Sequence, residues 1–400
     1  MASPDRSPPR ISTLIYITGI SVVSLNMFLP SLVNIAADLN ADYALVSLSI
    51  AGYLGLTAVL QLIIGPLADR YGRRPIILGG IGIFTVASLG CLLAQNIWVF
   101  LGFRMLQGAI IAGGALSRVV VRDMMEPKEA ASVLGYISMA MALAPMLGPT
   151  LGGVLDEAFG WRSSFAAFFL LGAVLWVLTW RDLGETNRAP SATFGAQFRT
   201  YPALLGAPLF WGHAACMAFS TGGFFVFIAG APLVASTVFG LSPGWLGVAI
   251  GSITGGFIFG SFCAGRFARH FSLATMMLAG RVLACGGLTV GIVLFAAGFE
   301  HVLVFLGASM FVGIGNGVTM PSTNVGVMSV RPDLAGTASG VAGALNMAVG
   351  AGLTWVAGIL ISGNPAVLPL LGLMLATSFA GLLSALLVAY LDRSALPERA

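Results

Sequence analysis

Long apolar stretches alternate with short polar breaks along the whole of this 400-residue chain. Each stretch has the length of about 20 residues that a helix needs to cross a bilayer. Twelve such stretches can be counted, at 11–33, 43–64, 75–95, 98–121, 130–154, 163–181, 209–235, 243–264, 274–297, 302–326, 337–361 and 367–390. Since a helix satisfies its own backbone hydrogen bonds in lipid, the pattern predicts an all-α membrane protein with twelve transmembrane helices.

The composition agrees with a bilayer as the surrounding solvent. Hydrophobic residues make up 58% of the chain, charged residues only 8%, and the mean hydropathy is +0.95. Soluble domains carry about 25% charged residues, so a soluble chain of this length could not cover its own surface. The net charge of +4 lies mostly in the loops, so no nucleic-acid partner is expected. The four cysteines stand singly, and neither a metal nor a cofactor is expected.

The longest polar interruption divides the chain into two halves. It runs from Arg181 to about Pro208, near the middle of the sequence. We therefore expect a first six-helix bundle at 1–180, a cytoplasmic linker at 181–208 and a second six-helix bundle at 209–400. Proteins with duplicated halves of this kind bind substrate between them, near the middle of the membrane.

The loop charges predict which way the chain crosses the bilayer. With twelve spans both termini lie on one side, and that side carries fifteen Lys and Arg residues against Arg162 alone on the other. Because Lys and Arg are concentrated in cytoplasmic loops, both termini are expected in the cytoplasm.

The sharpest local signal is the string 65–75, which follows the second stretch. Gly65 and Pro66 are predicted to end one helix. Gly72 then allows a tight turn, and Pro75 suits the first turn of the next helix. An aspartate stands among three arginines in this string: Asp69, Arg70, Arg73 and Arg74. The alternative interpretation is an ordinary positively charged loop.

Two further signals lie inside apolar stretches. The fifth stretch contains two prolines and three glycines: Pro145, Gly148, Pro149, Gly152 and Gly153. Prolines bend a helix, and glycines let another backbone approach closely. Ordinary helix packing is the alternative for them. In the fourth stretch, Arg104 precedes Gln107 and Gly108. A buried arginine is costly and indicates function, unless its side chain extends to the membrane surface.

Together these strings resemble the major facilitator superfamily. The string 65–75 resembles the family's loop signature between spans 2 and 3. The string 148–153 resembles the span-5 motif of its drug antiporters, and the string 104–108 resembles the span-4 motif of its proton-coupled exporters. The strings 26–30, 121–123 and 335–339 add a resemblance to the Bcr/CflA branch, which includes phenicol exporters. The resemblance implies a monomeric transporter in a bacterial inner membrane, working by alternating access.

The resemblance also implies a conformational latch. In the family, the aspartate of the loop signature docks against the start of span 11, which corresponds here to Asp69 beside Gly336 and Thr337. An arginine of the signature pairs with an acid at the end of span 4, here Arg73 with Asp123. The implied latch keeps the cytoplasmic side closed, and its residues are Gly65, Asp69, Arg70, Gly72, Arg73, Arg74 and Asp123.

Position 26 departs from the branch, which usually has an aspartate where Asn26 stands. A buried carboxylate can bind and release a proton, whereas an amide cannot. Three interpretations follow: the chain is an Asp-to-Asn form, another group such as His213 couples to protons, or transport needs no protons. The proton-coupling candidates are Asn26, Arg104 and His213. No acid is expected in the middle of a span, and Asp156 is assigned to the outer side.

The remaining polar and aromatic positions suggest a substrate pocket. Aromatic residues and methionine with few polar groups suit bulky, mostly apolar ligands, although such residues also pack helices or face lipid. The pocket candidates are Val22, Leu25, Asn26, Ile50, Tyr53, Arg104, Ile111, Ser138, Met141, Phe219 and Phe224. Other intramembrane polar residues are expected to bridge helices, with extension to the membrane surface as the alternative for Arg118 and Arg281.

The resulting expectation is an exporter of small amphipathic compounds coupled to protons. The alternative is a proton-independent metabolite exporter or facilitator. A third possibility, a non-transporting sensor or enzyme, has little support, because no HExxH, GxSxG or paired intramembrane acids are present.

Overall fold

The computed structural model describes residues 10–124, 127–187, 201–267, 269–331, 334–363 and 365–395, with only part of the side chains of 127–143. Twelve long helices follow one another. The first six are α1 (Ile11–Asp38), α2 (Tyr43–Tyr71), α3 (Arg73–Leu93), α4 (Ile97–Met124), α5 (Pro127–Phe159) and α6 (Arg162–Asp182). The second six are α7 (Pro208–Thr237), α8 (Pro243–Phe267), α9 (Leu273–Ala296), α10 (Val302–Ser329), α11 (Ala335–Ser362) and α12 (Val367–Ala395). A short helix, Tyr201–Leu205, precedes α7.

The prediction of an all-α membrane protein with twelve spans is confirmed. Among the described residues, eleven helices are long and apolar enough to cross a membrane, and the 33-residue α5 is the twelfth long helix. The helices extend a few residues beyond most of the predicted spans, because a helix continues into the polar boundary after the apolar stretch has ended.

Two helices are interrupted near functional strings. Helix α1 consists of Ile11–Asn26, a 3-10 turn at Leu29–Ser31 and Leu32–Asp38. Helix α4 consists of Ile97–Leu106, a 3-10 turn at Gln107–Ile110 and Ile111–Met124. Apolar periodicity does not distinguish these tight turns from a continuous helix, so the sequence did not predict them.

The expected helix end at Gly65 and Pro66 is wrong. Helix α2 continues through Pro66 as far as Tyr71, and the backbone amide of Gly72 still donates to the carbonyl of Ala68 at 3.0 Å. Proline removes only one backbone donor, and a helix at the membrane boundary tolerates that loss. The turn is therefore confined to Gly72, whose φ of +98° lies in the region that favours glycine.

Two helix pairs join the first six helices to the second six. Helix α2 packs along α11, and α5 packs along α8. Within the first six, α1 packs on α5 and α3 on α6, whereas within the second six α7 packs on α12 and α9 on α10. The contacts between α2 and α11 and between α5 and α8 therefore determine which face of the molecule is open.

The halves are closed at one face. We call the face where α1 begins and α12 ends the terminal face, and the opposite one the far face. Near the far face, a Cβ at Gly247 of α8 would lie 2.3 Å from the Pro149 carbonyl oxygen of α5. The hydroxyl of Tyr43 at the start of α2 donates to the Ala229 carbonyl of α7 at 2.7 Å. Backbones of the two halves are thus in direct contact there.

At the terminal face the start of α11 has no such close neighbour. At the start of α11, a Cβ at Gly336 or Gly340 would meet no heavy atom within 4 Å. Gly343 lies two turns after Gly336 on α11. A Cβ at Gly343 would lie 2.5 Å from the Gln61 side-chain oxygen of α2. The close contact between α2 and α11 therefore begins about two turns inside the terminal face.

Candidate transport site

Arg104 lies in the interior of the first half. Its side chain is fully buried, so the alternative that it extends to the membrane surface is wrong. Nη1 donates to the side-chain oxygen of Gln107 at 2.7 Å, and Nη2 donates to the Ser24 carbonyl of α1 at 2.9 Å. The guanidinium carbon lies 4.1 Å from the ring centroid of Phe28 and 4.5 Å from that of Tyr53. Two aromatic faces and two oxygens thus surround the cation.

A polar network extends from Arg104 to three other helices. The Gln107 amide donates to Ser88 Oγ of α3 at 2.7 Å. The hydroxyls of Ser24 on α1 and Tyr53 on α2 are 2.9 Å apart. The interruption of α4 at Gln107–Ile110 lies directly after Arg104, so the network surrounds the point where α4 departs from α-helical geometry.

Arg104 forms no ion pair with any residue that the structure describes. The ion pairs among the described residues are Arg73 with Asp69, Arg73 with Asp123, and Arg162 with Asp38. The Arg104 Nε atom is buried and has no hydrogen-bond partner. A buried cation without a carboxylate is costly, and here only neutral oxygens and aromatic rings offset that cost.

Asn26 lies at the contact between α1 and α5. Its side chain is buried, and Nδ2 donates to the Val22 carbonyl of its own helix at 2.9 Å. Its Oδ1 atom is buried and unpaired. A Cβ at Gly148 of α5 would lie 3.7 Å from the Asn26 Cβ. Asn26 and Arg104 bond different carbonyls of α1, so no hydrogen bond joins these two coupling candidates.

The predicted pocket residues fall into two groups. Four are buried, namely Asn26, Ile50, Tyr53 and Arg104, and six are partly exposed, namely Val22, Leu25, Ile111, Met141, Phe219 and Phe224. The Ser138 side chain lies outside the described residues. The structure joins Tyr53 to Arg104, and it places Phe224 beside Phe225, with ring centroids 6.0 Å apart. The partly exposed group is the one that can contact a ligand directly.

A groove of about 640 Å³ lies elsewhere, between α3, α4 and α6 on the outer surface of the first half. It is almost wholly apolar, and residues such as Ile83, Phe103 and Trp176 line it. None of the predicted pocket residues belongs to it. Its position facing the lipid makes it a poor candidate for the transport pathway.

His213 lies far from the network around Arg104. It is buried on α7, in the second half, and a Cβ at Gly326 of α10 would lie 2.3 Å from its ring. Its Nδ1 atom is buried without a hydrogen-bond partner. The structure therefore does not bring His213 together with Asn26 or Arg104.

The charges of the predicted latch assemble only in part. Arg73 bonds Asp69, and its Nε donates to Asp123 at 3.2 Å, so the expected pairing of Arg73 with Asp123 is present. Asp69 does not reach the start of α11, because the surroundings of Gly336 are open. Arg70 lies over the ring of Tyr71 at 5.4 Å.

Glu185 completes this turn, although the sequence assigned it only to a linker. Its carboxylate accepts from the backbone amides of Arg73 at 2.9 Å and Arg74 at 3.2 Å. These amides open α3, where negative charge is favourable. A Cβ at Gly72 would lie 2.2 Å from the same carboxylate. Asn187 also donates to the Asp69 carbonyl at 2.8 Å, so the start of the linker is docked on the turn.

The glycines of the span-5 motif are sites of close backbone approach. A Cβ at Gly152 would lie 1.5 Å from the Met27 carbonyl oxygen of α1. A Cβ at Gly153 would lie 2.2 Å from the Pro243 carbonyl oxygen at the start of α8. Pro145 and Pro149 lie inside the continuous helix α5. This motif thus packs one helix against both halves.

Two further charged side chains are buried between helices. Arg281 of α9 is fully buried and donates to Asn316 at 2.7 Å and Thr319 at 3.1 Å of α10, so it bridges helices rather than extending to the surface. Asp156 of α5 is only 5% exposed and lies near the far-face end of its helix. The pattern of apolar residues does not show which polar side chains are covered by neighbouring helices.

The comparisons with known proteins agree with this architecture. The family model described as Major Facilitator Superfamily matches residues 14–354. The chain is 32% identical over 346 residues to an uncharacterized MFS-type transporter, YdgK, of Bacillus subtilis (strain 168), covering 84% of this chain and 85% of that one. It is 28% identical over 345 residues to multidrug resistance protein D of Escherichia coli (strain K12), covering 85% and 86%.

A chloramphenicol resistance protein of Pseudomonas aeruginosa is 29% identical over 325 residues, covering 80% of this chain and 76% of that one. Among solved structures, an inward-facing, occupied bacterial homolog of the human lysosomal transporter Spinster matches with a TM-score of 0.74 and 18% identity, over 97% and 98% of the two chains. A D-xylose-proton symporter matches with a TM-score of 0.73 and 14% identity, over 94% and 96%. The chain is therefore a multi-pass membrane transporter, not an enzyme, and it belongs to the major facilitator superfamily.

Proposed function

We propose that this protein exports small amphipathic compounds by alternating access. The observation that carries the proposal is the asymmetry between the two faces: the halves touch at Gly247 and Pro149 near the far face and are apart around Gly336 at the terminal face. A transporter that exposes a central site to one side at a time needs such an arrangement. Rocking of the halves would open the far face and close the terminal one.

The loop charges support a cytoplasmic terminal face in a bacterial inner membrane. Most Lys and Arg residues of the loops lie on the side of the termini, and such residues favour the cytoplasm. The conformation described above is then open to the cytoplasm, ready to take up a compound for export. We expect the protein to act as a monomer, because the central pathway lies within a single chain.

The names of the relatives support this substrate class. Proteins named for multidrug and chloramphenicol resistance match most of this chain. Partly exposed aromatic and methionine side chains such as Phe219, Phe224 and Met141 offer broad apolar contact with few directional bonds. These properties suit compounds that differ in shape but share an apolar body.

The latch fits the same cycle. In the conformation described here Asp69 is bound to Arg73 and is not docked on α11. When the terminal face closes, Asp69 would meet the start of α11 at Gly336 and Thr337. The pairing of Arg73 with Asp123, and the docking of Glu185, would hold the turn in shape through both states.

We propose proton antiport as the energy source, with the network around Arg104 linked to the proton-binding group. A proton-independent metabolite exporter or facilitator is the second candidate. It is favoured by the amide at Asn26 and by the lack of a carboxylate on Arg104. The two candidates differ in whether a pH gradient drives accumulation.

Transport in proteoliposomes distinguishes them. Purified protein is reconstituted, and the uptake of radiolabelled chloramphenicol is followed with and without an imposed pH gradient. Proton antiport predicts accumulation only with the gradient, and Asn26→Asp should increase its dependence on pH, because the carboxylate adds a titrating group. Equal equilibration in both conditions would support the proton-independent alternative. Failure to move any compound of a multidrug panel would contradict the export function.

A further inference from the structure

A buried carboxylate lies beside the closed face of the molecule. Asp156 of α5 is 5% exposed, and its Oδ2 accepts from Asn34 Nδ2 of α1 at 2.8 Å. Its Oδ1 is buried and has no hydrogen-bond partner. The buried hydroxyl of Ser31 is a second neighbouring donor for the same carboxyl group. The donors around Asp156 on α1 are therefore neutral side chains.

No cation compensates the charge of Asp156 among the described residues. From α1 it meets Asn34 and Ser31, which do not titrate. On its own helix the neighbouring charge is Glu157, an acid. From α6, Arg162 is paired with Asp38 instead. An unpaired buried carboxylate is strongly disfavoured, whereas the protonated acid is not.

Asp156 is flanked by contacts that close the far face. Gly153, three residues earlier, packs on the Pro243 carbonyl at the start of α8. Glu157, the next residue, accepts from the Gly244 backbone amide at 3.1 Å. These contacts join the first half to the second, so opening the far face separates α5 from α8 beside Asp156. Water then reaches a carboxyl group that the closed state excludes from it.

We propose that Asp156 is a proton-binding group whose protonation favours closure of the far face. The closed state buries the carboxyl group and prefers it neutral, whereas the open state hydrates it and tolerates the charge. By linkage, a proton that binds more tightly to the closed state shifts the population toward that state. Raising the pH removes the proton and shifts the population toward the open far face.

The inference rests on the proposed alternating-access cycle and deepens it. If the far face is external, an acidic exterior would protonate Asp156 when the far face is open and return the emptied transporter to the state open to the cytoplasm. Asp156 thus takes up the proton-binding role that Asn26 does not provide. It lies near the far-face end of α5, and its side chain is in the interior of the protein.

The test measures the conformation directly and needs no substrate. The four cysteines are replaced by alanine, and spin labels are attached at Gln95→Cys in the first half and Phe299→Cys in the second, both exposed at the far face. Distances between the labels are measured by pulsed electron resonance in lipid nanodiscs from about pH 5 to about pH 9. The short-distance population reports the closed far face.

The short-distance population should fall as the pH rises, by as much as about tenfold per pH unit, the limit for one linked proton. Asp156→Asn should hold the far face closed over the whole range, and Asp156→Glu should restore a titration. Glu300→Gln, which removes an exposed acid on the same face, should keep the pH dependence of the parent. An unchanged titration in Asp156→Asn, or a parent whose distances do not respond to pH, would overturn the proposal.

This measurement separates the inference from the exporter function. If the distances titrate through Asp156 but no compound is transported, the substrate assignment fails and the role of Asp156 stands. If compounds are exported but the titration survives in Asp156→Asn, the role of Asp156 fails and the exporter assignment stands.

Discussion

At the scale of single residues, the geometry around Arg104 depends on the shape of its side chain as much as on its charge. The guanidinium bonds Gln107 and Ser24 through two different nitrogens while it lies between the rings of Phe28 and Tyr53. A lysine ammonium carries the same charge, but it cannot span two acceptors in a plane and stack on a ring in the same way. Replacing Arg104 by lysine therefore tests whether the geometry of this network matters beyond its charge.

Arg104→Lys is expected to lower export at least about tenfold, the effect of losing roughly 1.4 kcal/mol of interaction. The physical reason is the loss of one of the two bonds that connect α4 to α1 and to Gln107. Initial transport rates in inverted vesicles, normalised to protein content, measure the effect. Arg118→Lys, at an exposed position of the same helix, is the matched control. Equal rates for both variants would contradict a specific role of Arg104.

Gly72→Ala is expected to destabilise the turn between α2 and α3. The backbone there has φ +98°, which is strained by about 1–3 kcal/mol for other residues. The new methyl group would also collide with the Glu185 carboxylate, which lies 2.2 Å from its position. Thermal unfolding in detergent should show a lower Tm. Gly79→Ala in α3, whose Cβ position is open, should leave the Tm nearly unchanged.

At the scale of helices, the sequence predicted the spans well and their local departures poorly. Apolar length determines whether a helix crosses the bilayer, so all twelve helices correspond to apolar stretches. The 3-10 turns in α1 and α4 depend on packing between helices, which a single-helix pattern does not contain. For the same reason the sequence did not show that Asn34 of α1 bonds Asp156 or that the α3 amides bind Glu185.

The contact between α5 and α8 gives a prediction at the same scale. Gly247→Val should force these helices apart, because a Cβ there would lie 2.3 Å from the Pro149 carbonyl oxygen. We expect the population to shift toward an open far face and a closed terminal face. Labelling of Gly340→Cys by a water-soluble maleimide, which reports access to the terminal face, should then slow several-fold.

The control variant is Gly255→Val on the same helix, where the Cβ position has no heavy atom within 4 Å. It adds the same apolar volume without touching α5. Comparable labelling rates in the Gly247 and Gly255 variants would show that the close approach does not control the opening of the molecule.

At the scale of the whole molecule, the cycle requires that the two faces exchange roles. The far face is closed by α2 against α11 as well as by α5 against α8. A Cβ at Gly358 of α11 would lie 2.0 Å from the Ser47 hydroxyl of α2. At the terminal face, Gly336 at the start of α11 has no such neighbour. A covalent link at either position should therefore trap a different state.

The double variant Ser47→Cys with Gly358→Cys is expected to form a disulfide in the absence of substrate. The disulfide should stop transport, and its reduction should restore transport. Asp69→Cys with Gly336→Cys should cross-link only when the terminal face closes, so its yield should rise in a Gly247→Val background. Gel mobility before and after reductant measures both yields. Efficient transport by the oxidised Ser47–Gly358 variant would contradict alternating access by rocking.

The docking of Glu185 and Asn187 on the turn between α2 and α3 has a consequence for protein engineering. Because these residues are fixed to the first half, the first half extends to Asn187 rather than ending at Arg181. Two separately produced fragments divided between Asn187 and Tyr201 should each keep their own contacts and reassemble into an active transporter. Fragments divided before Leu183 would deprive the first half of the carboxylate that caps α3. The practical boundary between the two halves is thus set by a cap and not by the end of the sixth span.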